Sequence, residues 1–302
     1  MPKKALLVGI NAYPQSPLNG CLNDVQDWFG ALTGLGGFHA DQIRAVTDQR
    51  ATTQGIRAGL AWLAQGAIAG DEIFFAYSGH GSQVRATRGD ELDDGLDEVI
   101  CPVNLLDADY WDHGVITDDE LGDWLASFPA GVRLTVALDS CHSGTATREF
   151  GPPSGNPHPT LNRYLPPPLD IQLRSSHLEH HKELKRRRLG RGARKSVRGL
   201  FDFLYPSRRQ RQRKAVGTVV VPTMNHILLS GCRNDQTSAD AFINNRYNGA
   251  FSYYALAELK KDPRRTLNDL HNAYVAAVKA GGYAQVPQLE GPQERISAPL
   301  FA

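Results

Sequence analysis

One stretch of the chain reads EIFFAYSGHG, from Glu72 to Gly81. Its first six residues form a mostly apolar run, which is typical of a strand buried on both faces of a sheet. Leu134–Leu138 is a second run of this kind, and it leads into Asp139-Ser140-Cys141-His142-Ser143-Gly144. Because neighbouring parallel strands end at the same edge of a sheet, we expect His80 and Cys141 to lie close together there.

Strand and helix patterns alternate on both sides of these stretches. Alternation of this kind favours a mostly parallel central sheet with helices on both faces, an α/β fold. Thr117-Asp118-Asp119-Glu120 resembles a capping box that opens one of the helices. The further predicted strands are Ala5–Ile10 and Ile227–Ser230, and the further predicted helices span Val25–Leu32, Ile56–Ala67, Phe251–Leu259 and Leu267–Val278.

The middle of the chain differs in composition from the rest. Residues 151–173 contain seven prolines, which resist packing into helices or central strands. Arg174–Lys214 carries 15 Lys and Arg against three acids, a charge of +12, which leaves −11 on the rest of a chain whose total is +1. The sequence therefore predicts three parts: residues 1–150, a flexible linker or insert at 151–215, and residues 216–302 that complete the same domain.

Length and composition exclude several classes of protein. The 302 residues suffice for one large domain or two modest ones, and no apolar run reaches the 18 to 20 residues of a membrane helix. The four cysteines at 21, 101, 141 and 232 form no CxxC pair, so a disulfide framework or structural zinc site is not expected. The first residues do not resemble a signal peptide. These features predict a cytoplasmic protein that acts away from membranes and needs no organic cofactor.

The two strand ends carry the residue types of nucleophilic catalysis. A cysteine thiol is mostly protonated at neutral pH, and a nearby histidine can accept its proton to form the reactive thiolate. We therefore expect Cys141 as nucleophile and His80 as its base. We also expect the backbone amides of Gly81 and Cys141 to hydrogen-bond the oxyanion that forms. Taken singly, each side chain has a structural alternative, a small buried thiol or a core histidine.

Tyr77–Gly81 (YSGHG) and Asp139–Gly144 (DSCHSG) resemble the His and Cys boxes of metacaspases, caspase-like cysteine peptidases of family C14. The resemblance covers both parts of the chain outside the insert and is closest to the prokaryotic type. It implies a caspase-hemoglobinase fold, with a large and a small subunit region on either side of the insert, and His80 and Cys141 as the catalytic dyad. Further segments similar to the family are Gly9–Tyr13, Cys21–Asp24, Ser230–Ala239 and Gly249–Ser252.

Acidic residues near the nucleophile favour a cationic substrate side chain. The resemblance implies cleavage after Arg or Lys, with Asp24, Ser78 and Asp139 in the S1 pocket that receives that side chain. Caspases that cleave after Asp carry QACxG where this chain has Asp139-Ser140-Cys141. For Asp24 the alternative is a cap at the start of a helix.

A calcium site is a further expectation. Six carboxylates fall within Asp90–Glu98, and the resemblance implies calcium ligands at Asp97, Asp118 and Asp119. Arg148 stands where a fourth carboxylate of calcium-dependent relatives would lie, which argues against the site. Asp118 and Asp119 have an alternative role as acidic residues favoured in a helix's first turn.

The basic insert has three interpretations: solvated disorder, binding of nucleic acid or another anionic surface, or a substrate for the enzyme's own pocket. The third makes the chain a zymogen cut by itself or by an upstream protease, with the insert covering the acidic body until then. The partners expected are protein or peptide substrates with Arg or Lys at the cleavage site. The alternative function is a catalytically weak caspase-fold scaffold or a nucleic-acid-binding protein, although the acidic body disfavours nucleic acid. The candidate cleavage positions are Lys185, Arg186, Arg187, Arg188, Arg208, Arg209, Arg211, Arg213 and Lys214.

Overall fold

The central element of the fold is a seven-stranded sheet with the order β2-β1-β3-β7-β10-β13-β9. The computed structural model describes residues 2–85, 96–105, 111, 113–141, 158–168, 218–221, 224–233 and 236–301. The five strands from β2 to β10 are parallel, and β13 runs antiparallel to β10. The strands are β1 (Lys3–Gly9), β2 (Ile43–Thr47), β3 (Glu72–Ser78), β7 (Arg133–Asp139), β9 (Thr218–Val220), β10 (His226–Ser230) and β13 (Gln288–Gly291).

Helices cover both faces of this sheet, as the sequence predicted. Alternate residues of β1 point to opposite faces, so that Leu6 and Val8 enter one core while Ala5 and Leu7 enter the other. The first core lies under α2 (Thr53–Ala64) and α3 (Asp118–Ala126). The second lies under α1 (Cys21–Gly34), α4 (Ala250–Lys261) and α5 (Leu267–Ala280), and a short helix α6 (Gln293–Ile296) follows β13. The mostly parallel α/β fold is confirmed.

Local signals in the sequence place several of these elements correctly. Thr117 is the N-cap of α3, where its side chain accepts a hydrogen bond from the Glu120 amide, so the predicted start of this helix is correct, while the Glu120 carboxylate pairs with Arg57. Gly9 ends β1 beneath α1, and a Cβ there would lie 2.6 Å from Val25 Cγ2 and 2.8 Å from the Cys21 carbonyl oxygen. The missing side chain lets the helix approach the strand. No helix among the described residues is long and apolar enough to cross a membrane.

Two small antiparallel sheets flank the carboxyl ends of the central strands. One contains β4 (Gly81–Arg85), β5 (Leu96–Ile100) and β6 (Ile116–Thr117). The other contains β8 (Leu161–Asn162), β11 (Ala239–Ile243) and β12 (Arg246–Gly249).

Strand β8 belongs to the predicted linker and differs from that prediction. Residues 158–168, here called the docked segment, pack against the body of the protein, and Arg163 within them is fully buried. The expectation of a flexible linker is therefore wrong for these 11 residues. The physical reason is that a segment can add to the edge of a sheet through its backbone, without an apolar pattern of its own. The rest of the linker, including the basic insert 174–214, lies outside the described residues.

Candidate active site

The carboxyl ends of β3 and β7 meet at the centre of the sheet. The two strands are parallel neighbours, with Ser78 of β3 paired to Asp139 of β7. His80 and Cys141 each follow two residues later, and both side chains are buried. The structure thus brings the predicted dyad residues to the same edge of the sheet.

His80 is held by backbone and ring contacts. Its amide donates to the Tyr13 hydroxyl (3.0 Å), and its carbonyl accepts from the Tyr77 hydroxyl (2.6 Å). The ring Nε2 lies 2.7 Å from the carbonyl oxygen of Ser16. A carbonyl can only accept, so Nε2 carries the proton and Nδ1 has the free lone pair in the neutral ring. Sequence reasoning did not identify the two tyrosines, whose hydroxyls fix this backbone.

The environment of His80 keeps its ring uncharged. Burial lowers the pKa of His80 to about 4, against the opposing effect of the hydrogen bond to Ser16. Nδ1 has no hydrogen-bond partner among the described residues. In the neutral ring, Nδ1 is the nitrogen whose lone pair is available to accept a proton.

Cys141 lies against the loop before β11. The Ser238 backbone amide donates to the Cys141 Sγ, and the thiol lies 3.4 Å from the Ser238 carbonyl oxygen. A second buried thiol, Cys232, is adjacent, and a hydrogen bond with Cys141 together with burial raises the pKa of Cys232 above its ordinary value. Cys232 therefore remains protonated beside Cys141.

Beside the dyad is a closed acidic pocket. Asp24, Ser78 and Asp139, the predicted pocket residues, all line it, and none is more than 3% exposed. The Ser78 hydroxyl donates to Asp24 (2.7 Å). Asp139 accepts from the Ser238 hydroxyl (2.5 Å) and from the amide and hydroxyl of Ser252 (2.9 and 2.7 Å).

Asp24 does not cap its helix. The N-cap of α1 is Gly20, without a side-chain cap, whereas Asp24 accepts from the Gly249 amide and from the side chain of Asn248. A Cβ at Gly249 would lie 2.5 Å from a guanidinium nitrogen of Arg163, so the absence of a side chain there leaves room in the pocket. Asp24 therefore lies in the acidic pocket and is not the cap of its helix.

The pocket is filled by Arg163 of the docked segment. Its guanidinium forms ion pairs with Asp24 (2.7 Å) and Asp139 (3.3 Å), and it donates to Ser78 (2.8 Å). A third carboxylate, Asp240, lies 3.0 Å away and is fully buried. Sequence reasoning missed Asp240 and Arg163, although Asp240 directly follows the family-like segment Ser230–Ala239.

Three carboxylates around one guanidinium leave an excess of negative charge. Burial raises the pKa of Asp24 to about 7, while the attraction of Arg163 opposes this shift. Burial also lowers the pKa of Arg163, but the pull of Asp139, Asp24 and Asp240 outweighs it and holds that pKa above its ordinary value. The pocket therefore binds a permanent cation strongly, at a cost in free energy for its own buried carboxylates.

The backbone of Arg163 is hydrogen-bonded to the residue next to His80 and to Cys141. Its carbonyl oxygen accepts from the Gly81 amide (2.9 Å) and the Cys141 amide (3.2 Å). These are the two donors that the sequence predicted for an oxyanion. A carbonyl between two backbone donors has the arrangement of an oxyanion hole.

The three residues that the resemblance implies as calcium ligands lie in two different elements. Asp97 is buried in β5, and Asp118 and Asp119 open α3. No group of three or more His, Cys, Asp or Glu side chains in the part of the chain that the structure describes is arranged to hold a metal ion. Four of the six carboxylates of Asp90–Glu98 lie outside the described residues, and calcium binding stays a prediction. Arg148 and the candidate cleavage positions of the insert lie outside the described residues.

Comparison with known proteins matches both the sequence and the fold. The family described as "Metacaspase, peptidase C14 domain" matches residues 3–148. Metacaspase-1 of Pyricularia oryzae is 35% identical over 95% of this chain and 71% of its own length, and Metacaspase-1 of Mycosarcoma maydis is 35% identical over 95% and 69%. A crystal structure of a Geobacter sulfurreducens protein superposes with a TM-score of 0.65 (24% identity, 100% and 99% coverage). Caspase-1 of Spodoptera frugiperda gives 0.50 (11% identity, 96% and 90% coverage).

Proposed function

The chain belongs to the metacaspase family of C14 cysteine-type peptidases, which act on proteins or peptides, and we propose that it is an endopeptidase that cleaves after arginine or lysine. In this proposal Cys141 is the nucleophile and His80 the proton acceptor. One observation carries it: an arginine side chain is bound in a buried acidic pocket while its carbonyl lies between the amides of Gly81 and Cys141.

The first step of the proposed reaction forms an acyl-enzyme. The Cys141 Sγ attacks the substrate carbonyl carbon, and its proton passes to Nδ1 of His80, the nitrogen that the Ser16 contact leaves free. The Gly81 and Cys141 amides stabilise the oxyanion that forms. His80 then donates the proton to the departing amine, and water attacks the thioester with His80 again acting as base.

The acidic pocket supports selection of the residue before the cleaved bond. A buried carboxylate pair binds a guanidinium far better than a neutral side chain, because each unpaired charge costs a few kcal/mol of binding free energy. Lysine can reach the same carboxylates but presents a single ammonium group, without the fork of a guanidinium. We therefore expect arginine to be preferred to lysine, and both to be strongly preferred to aspartate or glutamine.

Hydrolysis of matched fluorogenic peptide amides tests this function. Four peptides that differ only in Arg, Lys, Gln or Asp before the fluorophore are incubated with the protein, each with added calcium and with a chelator. The proposal expects turnover of the Arg and Lys peptides and its loss in Cys141→Ala. Comparable turnover of the Asp and Arg peptides would contradict the pocket assignment. The two calcium arms decide whether the ion is required, which stays a prediction from the family resemblance.

We further propose that the single chain is a zymogen processed in the basic insert 174–214. The support is the density of Lys and Arg there, above all Lys185–Arg188 and Arg208–Lys214. Mass spectrometry of new termini in the wild type, in Cys141→Ala, and in Cys141→Ala mixed with wild type identifies the cut and its agent. Absence of any new terminus at 185–214 in a fully active enzyme would remove this part of the proposal. The cytoplasmic location stays a prediction.

A further inference from the structure

The docked segment lies across the active site in the manner of an extended substrate. On its amino-terminal side, β8 pairs antiparallel with β11, with Leu161 opposite Asp240. The Arg163 amide donates to the Ser238 carbonyl oxygen (3.1 Å), which continues this ladder up to the nucleophile's neighbour. Addition of a strand to an open edge is a common way of binding a peptide.

Side chains hold the same part of the segment. Leu161 packs against the hydrophobic core, and the ring of His158 lies 3.7 Å from that of Phe242, centre to centre. These contacts surround the fully buried Arg163 side chain in the acidic pocket. The amino-terminal side is thus bound through backbone, apolar and ionic contacts together.

The segment is also held beyond Arg163. The Leu165 amide donates to the Gly81 carbonyl oxygen (3.0 Å), Leu165 packs against the core, and Pro167 is buried. The bond between Arg163 and Tyr164 is therefore fixed on both sides. Its carbonyl is the one that lies between the Gly81 and Cys141 amides.

From this geometry we propose that Cys141 cleaves the Arg163–Tyr164 bond of its own chain, and that the uncut docked segment keeps other substrates out of the acidic pocket. The proposal rests on the proposed peptidase function and deepens it, because it names the first substrate and the inhibitor. It is independent of any cut in the insert 174–214. The cation in the acidic pocket belongs to the proline-rich segment, which precedes that insert.

The chemistry balances with water as the only co-reactant. Cys141 Sγ bonds to the Arg163 carbonyl carbon, the C–N bond to Tyr164 breaks, and the thiol proton leaves on the Tyr164 amine by way of His80. Water then hydrolyses the thioester, so that Arg163 ends as a carboxylate and Cys141 regains its proton. The products are residues 1–163 and 164–302.

Before the cut, the docked segment inhibits peptide hydrolysis because it is covalently attached to the enzyme. A segment of the same chain is present at its site at an effective concentration of about millimolar, and a peptide in solution must compete with it. Arg163 occupies the space and all three carboxylates that a substrate arginine would need. Cleavage removes one of the two attachments of the segment and lets it leave.

Two variants test whether the docked segment inhibits the enzyme. Both prevent the cut, but only one of them keeps Arg163 in the acidic pocket. Arg163→Gln removes the cation and should empty the pocket. Tyr164→Pro keeps Arg163 bound, and the hydrogen bonds of the Arg163 carbonyl and the Leu165 amide are retained, but the leaving nitrogen is now part of a ring, a bond that endopeptidases commonly resist. Arg264→Gln, at an exposed arginine far along the chain, is the matched control. Termini are mapped by mass spectrometry and activity is measured with the Arg peptide amide.

The proposal expects a new amino terminus at Tyr164 in the wild type and in Arg264→Gln, and none in Cys141→Ala, Arg163→Gln or Tyr164→Pro. The rate constant of the cut should not change when the protein is diluted about twentyfold, because the reaction is intramolecular. Peptide hydrolysis by the wild type should rise with the cut. Arg163→Gln should show no lag and should be at least about tenfold more active than Tyr164→Pro.

The inference is overturned if the wild type hydrolyses the peptide without a lag while the Arg163–Tyr164 bond stays whole, or if Tyr164→Pro is as active as Arg163→Gln. Because Arg163→Gln leaves buried carboxylates unpaired and can misfold, Tyr164→Pro is also compared with fully cut wild type, where the same tenfold difference is expected. Inactivity of both cut wild type and folded Arg163→Gln would overturn the peptidase function itself, and the inference with it.

Discussion

The acidic pocket and the pair His80 and Cys141 lie side by side at one sheet edge, yet the two regions differ in the charge of their buried groups. The pocket gathers three buried carboxylates around one guanidinium, and each carboxylate is held by further donors. The dyad side keeps His80 neutral, with Nδ1 unpaired among the described residues. The pocket thus binds a cation through charged groups, whereas the proposed catalytic groups are uncharged before the reaction. Substitutions in the acidic pocket and substitutions of His80 or Cys141 should therefore act mainly on different kinetic constants.

The largest effect is expected on the dyad. Cys141→Ala should lower kcat for the Arg peptide at least about a thousandfold, because no other group supplies the nucleophile, and His80→Ala should also lower it severely. Because neither variant should cut the Arg163–Tyr164 bond, the docked segment should stay in the acidic pocket and also raise KM. An arginine-based acylating inhibitor should label Cys141 alone, as peptide mapping can check. Labelling of Cys21, Cys101 or Cys232 in place of Cys141 would contradict the assignment.

The next effect is expected in the pocket. Asp24→Asn should lower kcat/KM for the Arg peptide about a hundredfold, because a buried guanidinium loses one of its partners, and Asp139→Asn should act in the same direction. Alkylation of Cys141 by a small neutral reagent should proceed at the wild-type rate. Gln26→Ala is the control, since Gln26 is an exposed residue of the same helix. Equal losses in the Asp24 and Gln26 variants would show a general defect of the helix.

A smaller effect is expected in the pH dependence of KM, which reports on the acidic pocket, compared with that of kcat, which reports on His80. The pKa of Asp24 is about 7 with an arginine bound, and it must be higher in the empty pocket because the guanidinium lowers it. Arginine binding then releases a proton, so KM should fall as the pH rises above 7, by at most about tenfold per unit. The pKa of His80, about 4, leaves kcat nearly constant over that range. In Asp24→Asn, KM should lose this dependence, and a KM in the wild type that rises with pH would contradict the pocket's role.

The smallest effect is expected at Cys232. Cys232→Ser keeps a donor beside Cys141, and the change of one hydrogen bond corresponds to about a threefold change in kcat. A loss comparable to that of Cys141→Ala would mean that the second thiol takes part in the reaction.

The sequence predicted most of the sheet, and the meeting of His80 and Cys141 at one edge of it, because long-range contacts there follow local patterns. The apolar runs of β1, β3 and β7 must be buried, and their ends bring His80 and Cys141 together. The docked segment has no such pattern, since its binding depends on the backbone of β11 and on one arginine among many. Asp240 was missed because its role depends on that partner, which lies 77 residues earlier in the chain.

The pairing of β7 with β10 gives the cut a consequence beyond access to the pocket. The two strands lie on opposite sides of the Arg163–Tyr164 bond, and they pair from Leu134–His226 to Leu138–Ser230 in the middle of the sheet. Hydrolysis would turn these intrachain hydrogen bonds into contacts between two polypeptides. The mature enzyme would then be a non-covalent heterodimer, and its survival on dilution would be governed by mass action, a constraint that the uncut chain does not have.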